Sequence, residues 1–138
     1  MDDKLKVLGI DFGLAKVGLA TSVGRLAEPY GVIKYKDTAA LTEKLLAIIK
    51  KENIDKIVVG ISEGIMGNKQ EFFATDLSRK TTLSVETVDE TLTTLEAQKL
   101  AIQAGLKQKK RKELEDAFAA TLILQAYLDK IVLLAKKN

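Results

Sequence analysis

The sequence of 138 residues contains neither cysteine nor histidine. Without cysteine, the chain has no disulfide framework, no thiolate zinc site and no cysteine nucleophile. Without histidine, it lacks the commonest general base and the usual ligand of transition metals. If the protein is an enzyme, we expect its chemistry to rest on carboxylates, hydroxyls, lysines and a hard cation.

Long apolar runs are also scarce. None approaches the roughly 20 residues of a membrane span, and the opening MDDKLKV lacks the pattern of a signal peptide. We therefore expect a cytoplasmic protein with no membrane partner. The composition, 46% apolar and 30% charged, is typical of a globular protein, and the length suits a single domain over residues 1–138. The net charge of +3 permits a polyanionic partner without requiring one.

Five segments of the sequence are predicted to be strands. The first three are closely spaced and indicate an antiparallel meander, and the fourth is a continuous apolar run typical of a covered sheet. The predicted strands are Leu5–Asp11, Lys16–Ser22, Tyr30–Tyr35, Lys56–Ile61 and Leu83–Glu90.

Two helices are predicted between the strands. The first has Asp37 or Thr38 as its N-cap and an apolar stripe that begins at Leu41. The second is predicted over Gln70–Arg79, after a loop with the sequence ISEGIMGNK. Three of its side chains are expected in the core: Phe72, Phe73 and Leu77.

Two further helices are predicted after the fifth strand. One runs from a capping box at Thr93 to a stop at Gly105, and the other from about Glu113 to Leu128. The order βββαβαβα plus a C-terminal helix indicates an α/β fold, with a mixed five-stranded sheet and helices on both faces. Residues 129–138 form a C-terminal extension that continues the helix or docks on the core.

Three acidic residues recur where α/β domains place functional groups. Asp11 ends the first strand, Glu90 ends the fifth, and Asp116 lies early in the last helix. Sites form at the carboxyl ends of strands in open sheets, and a few converging carboxylates suffice for Mg²⁺. Two such ions can promote hydrolysis of a phosphodiester. Each acid also has an ordinary interpretation, as a turn residue, a solvated acid before a helix, or an exposed helical side chain.

A basic run precedes Asp116 in the sequence. Most charge runs are solvated loops, but this one is predicted beside the three acids, where it would bind phosphates in a salt-sensitive way. Aromatic residues are few, at 5% of the chain, so binding to the nucleic-acid backbone is expected rather than base reading. The basic residues are Lys107, Lys109, Lys110, Arg111 and Lys112.

Several motifs resemble those of the YqgF/RuvX family, in the same order from Leu8 to about Leu128. They are LGIDFGLAKVGLATS, KIVVGI, VDETLTTLEAQKL and KKRKELEDAFAATLILQAYL. The resemblance implies an RNase H-like fold and a nuclease that matures the 5′ end of 16S rRNA, with Mg²⁺ or Mn²⁺ held by Asp11, Glu90 and Asp116. Lys16 stands where the family has an arginine, and the resemblance implies a phosphate contact there.

Two departures from the family pattern leave alternatives open. Thr91 replaces an arginine beside the acids, and ISEGIMGNK replaces the LPxxxDG pattern after the fourth strand. The second change brings Glu63 to the strand end, as a reserve candidate for the acid otherwise supplied by Glu90.

The same residues are compatible with other functions. A resolvase of branched DNA would use the same chemistry, and such enzymes usually act as symmetric dimers; either a monomer or a homodimer is open. The missing arginine at Thr91 keeps a non-catalytic RNA-binding ribosome assembly factor open. An actin/Hsp70-like ATPase shares the strand-Asp-x-Gly pattern but needs two such domains, for which the chain is short.

Overall fold

The computed structural model describes residues 4–89 and 108–136, with side chains in the last helix described from residue 117 onward. Its five strands form one sheet in the order β3-β2-β1-β4-β5. The first three strands are antiparallel neighbours, while β4 and β5 run parallel to β1. The strands are β1 Val7–Phe12, β2 Lys16–Val23, β3 Leu26–Lys34, β4 Lys56–Ile61 and β5 Ser84–Asp89. The predicted mixed sheet is confirmed.

The described helices cover both faces of this sheet, as predicted. They are α1 Thr38–Lys51, α2 Gly64–Lys80 and α3 Gln108–Lys136. Helices α1 and α2 pack on one face, which we call the α1/α2 face, and α3 packs on the other, the α3 face. Asp37 caps α1, because its Oδ1 accepts a hydrogen bond of 3.1 Å from the Ala39 amide. The helix predicted from Thr93 to Gly105 lies outside the described residues.

Helix α2 begins six residues earlier than predicted, so the expected loop ISEGIMGNK was wrong from Gly64 onward. Gly64 has φ of +77°, a conformation that side chains with a Cβ rarely adopt. A Cβ on Gly67 would lie 1.9 Å from the Ser62 carbonyl oxygen. These two glycines allow the chain to turn sharply into the helix directly after β4.

The predicted burial of Phe72 was also wrong. Phe72 is 76% exposed, whereas Phe73 and Leu77 are buried as expected. Adjacent residues of a helix point about 100° apart, so the two phenylalanines cannot both face the sheet. Phe73 takes the core position, where its ring stacks on Phe12 with centroids 4.3 Å apart.

Strand β3 begins at Leu26 and contains Pro29, which was expected to precede the strand. The pairing of β2 with β3 shifts between Leu19 and Ala20, whose partners are Gly31 and Pro29. Tyr30 is therefore the extra residue of a β-bulge. Proline is tolerated here because β3 is an edge strand and needs no ladder on its outer side.

Helix α3 continues through the C-terminal extension as far as Lys136. Among the helices that the structure describes, its segment Ala117–Lys136 is long and apolar enough to cross a membrane by length and composition. The expectation that no run approaches such a length was therefore wrong. Half of that segment is buried inside the protein, as in the core helix of a globular domain. Length and composition alone are therefore weak evidence for a membrane span.

Candidate active site at the carboxyl ends of the central strands

Asp11 lies in β1, the central strand, one residue before the strand ends. Its side chain is half-buried, and its backbone pairs with Gly18 of β2. Successive side chains of a strand alternate between the two faces. Ile10 and Phe12 pack in the cluster beneath α1 and α2, whereas Val7 packs against α3. Asp11 therefore lies on the α3 face.

Helix α3 crosses β1 at very short range on this face. A Cβ added to Gly9 would lie 2.8 Å from Leu124 Cβ and 3.1 Å from the Ala120 carbonyl oxygen. Further along α3, the ring of Tyr127 contacts the ammonium group of Lys56. Lys56 pairs with Val7 at the start of β1. The helix thus runs from the end of β1 back toward its beginning, and the turn that precedes Ala120 lies toward the Asp11 end.

Asp116 is in that preceding turn of α3. The backbone direction of the helix thus agrees with the predicted approach of Asp116 to Asp11, while the Asp116 side chain lies outside the described part of the chain. The small residue Ala120, which is fully buried, is what allows the close approach.

Glu63 follows β4 and occupies the N-cap position of α2. Its side chain is exposed and makes no capping hydrogen bond to the helix. It lines an open cleft of about 310 Å³ between the ends of β4 and β5. The other lining residues are Ile61, Ser62, Glu71, Thr87, Val88 and Asp89. Glu63 therefore follows the end of β4, where the sequence placed it, and borders this cleft; its role as a metal ligand stays a prediction.

Gln70 connects the carboxyl ends of β1 and β4 by hydrogen bonds. It is 2% exposed, and its Nε2 donates a hydrogen bond of 3.2 Å to the Phe12 carbonyl. Its Oε1 accepts from the Ser62 amide at 2.7 Å and from the Ser62 hydroxyl at 2.9 Å. One buried side chain thus fixes the end of β1, next to Asp11, relative to the turn that carries Glu63.

The hairpin after Asp11 is held by a second set of contacts. The Gly13 amide donates to the Lys16 carbonyl at 3.1 Å, and a Cβ on Gly13 would lie 2.7 Å from that carbonyl oxygen. The Tyr35 hydroxyl donates to the Gly13 carbonyl at 2.6 Å. Burial raises the pKa of Tyr35 above its ordinary value. These contacts fix the hairpin that follows Asp11.

The remaining predicted site residues have different outcomes. Lys16 is exposed at the start of β2. Glu90 and Lys107 lie outside the described residues, and the other basic residues of the run are in the first turns of α3 with side chains that are not described. Within residues 4–89 and 117–136, no group of three acidic side chains is arranged to hold an ion. The three-acid site stays a prediction.

Sequence reasoning missed Gln70, Ser62 and Asp89. Gln70 is separated by 58 residues from the Phe12 carbonyl that it binds, so no local pattern marks it. Asp89 directly precedes the predicted Glu90 and pairs in register with Ile61 of β4. The run VDE at the end of a strand is the one signal that points to this position.

Comparison with known proteins gives the family. A family model described as RuvX, Holliday junction resolvase, matches residues 5–130. The chain belongs to the RuvX family. A relative from Lactococcus lactis subsp. cremoris is 37% identical over 134 residues, which cover 90% of this chain and 94% of the relative. One from Pelotomaculum thermopropionicum is 36% identical, with 91% and 87% covered. Both are named as candidate pre-16S rRNA nucleases.

Solved structures give the fold. RuvC of Thermus thermophilus, bound to a Holliday junction substrate, superposes with a TM-score of 0.62 at 17% identity, covering 91% of this chain and 96% of RuvC. The Holliday junction resolvase of fowlpox virus, also in complex with its substrate, gives a TM-score of 0.60 at 12% identity, covering 92% and 99%. Together, the comparisons confirm the RuvX family, the RNase H-like fold and the enzyme class, a hydrolase of phosphodiester bonds.

Proposed function

We propose that this RuvX protein is a cytoplasmic, divalent-metal-dependent nuclease that cleaves structured RNA, with the precursor of 16S rRNA as its substrate. One observation carries the proposal. The half-buried Asp11 is the last but one residue of the central strand and lies on the face that α3 crosses within contact distance at Gly9. A carboxylate in that position has a strand end on either side and a helix over it, which is where an α/β sheet binds its ligand.

The donors on this side of the sheet suit a hard ion. A chain without cysteine or histidine offers oxygen ligands, which Mg²⁺ and Mn²⁺ prefer. Asp11, Glu90 and Asp116 would hold the ion, with Glu63 as the alternative to Glu90. A bound ion would supply activation of water and stabilisation of the leaving oxygen. Gln70 and the hairpin at Gly13 would hold Asp11 and Glu63 in place while the substrate binds.

The substrate follows from the relatives and from the charges of this chain. The relatives above are named for pre-16S rRNA, and five basic residues in the six positions from Lys107 precede Asp116. Lysine and arginine bind phosphates without regard to base sequence. We therefore expect recognition of the shape and backbone of the RNA, with Lys16 and the basic run in contact with phosphates.

The decisive experiment measures cleavage of a precursor rRNA fragment by the purified protein with Mg²⁺ or Mn²⁺. Loss of one ligand should cost more than the roughly 100-fold upper range known for residues that only support a ligand, so Asp11→Asn should lose more than about 100-fold in rate. Asp76→Asn is the matched control, because Asp76 is a partly exposed acid of α2, away from the strand ends, that pairs with Lys80 at 2.8 Å. Full activity in folded Asp11→Asn would refute the proposal.

A second pair of variants identifies the partner acid. Glu63→Gln and Glu90→Gln remove one negative charge each with little change of volume. The variant at the true ligand should lower both cleavage and the affinity for Mn²⁺, measured by calorimetry, while the other variant should leave Mn²⁺ affinity unchanged. Equal Mn²⁺ affinity in both variants and the wild type would remove both acids from the site.

Branched DNA is the second candidate substrate. The family description names a Holliday junction resolvase, and two proteins with the same fold were solved with such junctions. Cleavage of a four-way DNA junction and of precursor rRNA should be compared side by side with one preparation. Faster cleavage of the junction would replace RNA by DNA in our proposal.

A further inference from the structure

A pair of lysines faces each other across the two outer strands of the meander. Lys16 begins β2 and Lys34 ends β3, and the two are direct partners in the strand register. Both side chains are exposed. Directly opposed residues of antiparallel strands have Cβ atoms about 5 Å apart. Sequence analysis singled out Lys16 alone, because the partner depends on the bulge in β3.

The pair lies on the same face of the sheet as Asp11. Val17 and Ile33, which neighbour the two lysines, pack in the core beneath α1 and α2. Side chains alternate along a strand, so Lys16 and Lys34 point to the α3 face. Ala27 confirms the assignment for β3, because it packs with the α3 cluster and lies on that face through the same register.

The two lysines extend outward from Asp11. Asp11 is paired with Gly18, two residues from Lys16 along β2. Residues in this diagonal relation are about 7–8 Å apart, which is within reach of a long side chain. Asp11, Lys16 and Lys34 thus form a line from the central strand across β2 to the edge strand β3.

Two ammonium groups in this arrangement favour an anion between them. A phosphate that contacts both ammonium groups would gain two attractions at once. A lysine ammonium is a compact charge on a flexible stem and binds phosphate without demanding one orientation. Strand β3 is the outermost strand on this side, so no further strand of the described sheet pairs beyond it.

We propose that Lys16 and Lys34 form a phosphate subsite that guides the RNA backbone from Asp11 across β2 to the edge of β3. The identity of the occupant rests on the proposed nuclease function, whereas the position of the subsite rests on the strand register. The subsite lies apart from the basic run of α3 in the sequence and adds a contact on the opposite side of Asp11 from β4.

The test measures binding of a labelled precursor rRNA fragment to the full chain in EDTA, so that cleavage does not interfere, over a series of salt concentrations. Lys34→Ala should raise Kd several-fold and lower the slope of log K against log salt by about 0.7, the value for one phosphate contact on a single strand. Lys34→Glu should raise Kd further. Lys44→Ala is the matched control, since Lys44 is an exposed lysine of α1 on the other face, and it should keep the wild-type slope.

The coupling of the two lysines is a second readout. If one phosphate is shared, the double variant of Lys16→Ala and Lys34→Ala should lose less affinity than the sum of the single losses. An unchanged slope in Lys34→Ala, or an equal fall in Lys44→Ala, would overturn the subsite. A fall seen with a four-way DNA junction but not with RNA would overturn RNA as its occupant.

The outcomes also separate this subsite from the proposed function. A protein that binds RNA with a Lys34-dependent slope but does not cut it with Mg²⁺ or Mn²⁺ would refute the nuclease and support the subsite. If the protein cuts RNA, but Lys34→Ala and the wild type bind RNA with the same salt slope, the nuclease is supported and the subsite is refuted. Thermal unfolding of each variant checks that the exposed lysines leave folding unchanged.

Discussion

The two ends of the sheet hold their structure in different ways. At the amino end, one carboxylate has two partners: Lys56 Nζ lies 2.8 Å from Glu86 Oε2, and the Tyr127 hydroxyl donates to the same oxygen at 2.5 Å. At the carboxyl end, the described hydrogen bonds of Gln70, Ser62 and Tyr35 join neutral groups to the backbone or to one another. The carboxyl end can therefore stay rigid without using the carboxylate of Glu63.

The pKa values of Glu86 and Lys56 reflect the hydrogen bond between them. Hydrogen bonds from Lys56 and then from Tyr127 lower the pKa of Glu86 below its ordinary 4.5. The hydrogen bond to Glu86 is also the main cause that raises the pKa of Lys56. These charges stabilise the fold through each other.

The largest expected effect is a loss of stability when Gly67, at the carboxyl end of the sheet, is replaced. A Cβ there would meet the Ser62 carbonyl at 1.9 Å, so Gly67→Ala must displace the turn that carries Glu63. Overpacking against backbone should cost about 3 kcal/mol of unfolding free energy, measured by urea denaturation. Gly31→Ala is the control, because a Cβ on Gly31 meets nothing within 4 Å. Equal stability of the two variants would contradict the tight turn.

A smaller effect compares two glutamines that make similar bridges at opposite ends. Gln70 joins β1 to the turn after β4, whereas Gln125 accepts from the Ala27 amide at 2.9 Å and donates to the Arg25 carbonyl at 3.1 Å. Loss of buried hydrogen bonds costs about 1–3 kcal/mol, so Gln70→Ala should destabilise the protein by that amount. Gln125 is less buried, and Gln125→Ala should cost less.

Activity should separate the two glutamines more sharply than stability does. Gln70→Ala should lower the cleavage rate by about 10–100-fold, as for residues that support metal ligands, and should weaken Mn²⁺ binding. Gln125→Ala should leave both unchanged at a temperature where each variant is folded. The same loss of activity in both variants would show that Gln70 acts through stability alone.

The smallest expected effect concerns the amino end and depends on pH. Glu86 has a lowered pKa in the folded state, so its stabilising contribution is present above pH 4.5 and is lost as the pH falls through the lower, folded value. Glu86→Gln should lower the unfolding free energy at neutral pH by about 1 kcal/mol or less, because the ion pair is partly exposed. The difference from wild type should shrink in acid. A difference that grows in acid would contradict the assignment, and cleavage at neutral pH should be unaffected.

Much of this fold was accessible from the sequence, because its elements follow local patterns. The meander, the parallel β4 and β5, and the Asp37 cap depend on alternation, apolar runs and turn residues within short segments. The position of Asp11 at a strand end followed in the same way. These are features that neighbouring residues determine among themselves.

The rest depends on contacts between distant segments. The start of α2 was missed because Gly64 and Gly67 resemble loop residues until the Ser62 carbonyl is seen to need their space. Phe73, and not Phe72, takes the core position, where its ring stacks on the sequence-distant Phe12. Lys34 could not be paired with Lys16 from the sequence, because the bulge at Tyr30 shifts the register of β3.

The edge strand β3 also affects how copies of the protein meet in concentrated solution. An open edge presents N–H and C=O groups on which a strand of another molecule can align and begin aggregation. Pro29 has no N–H to offer, and the adjacent bulge interrupts the ladder. A foreign strand therefore cannot pair along the whole length of β3, because the ladder is interrupted at Pro29 and Tyr30.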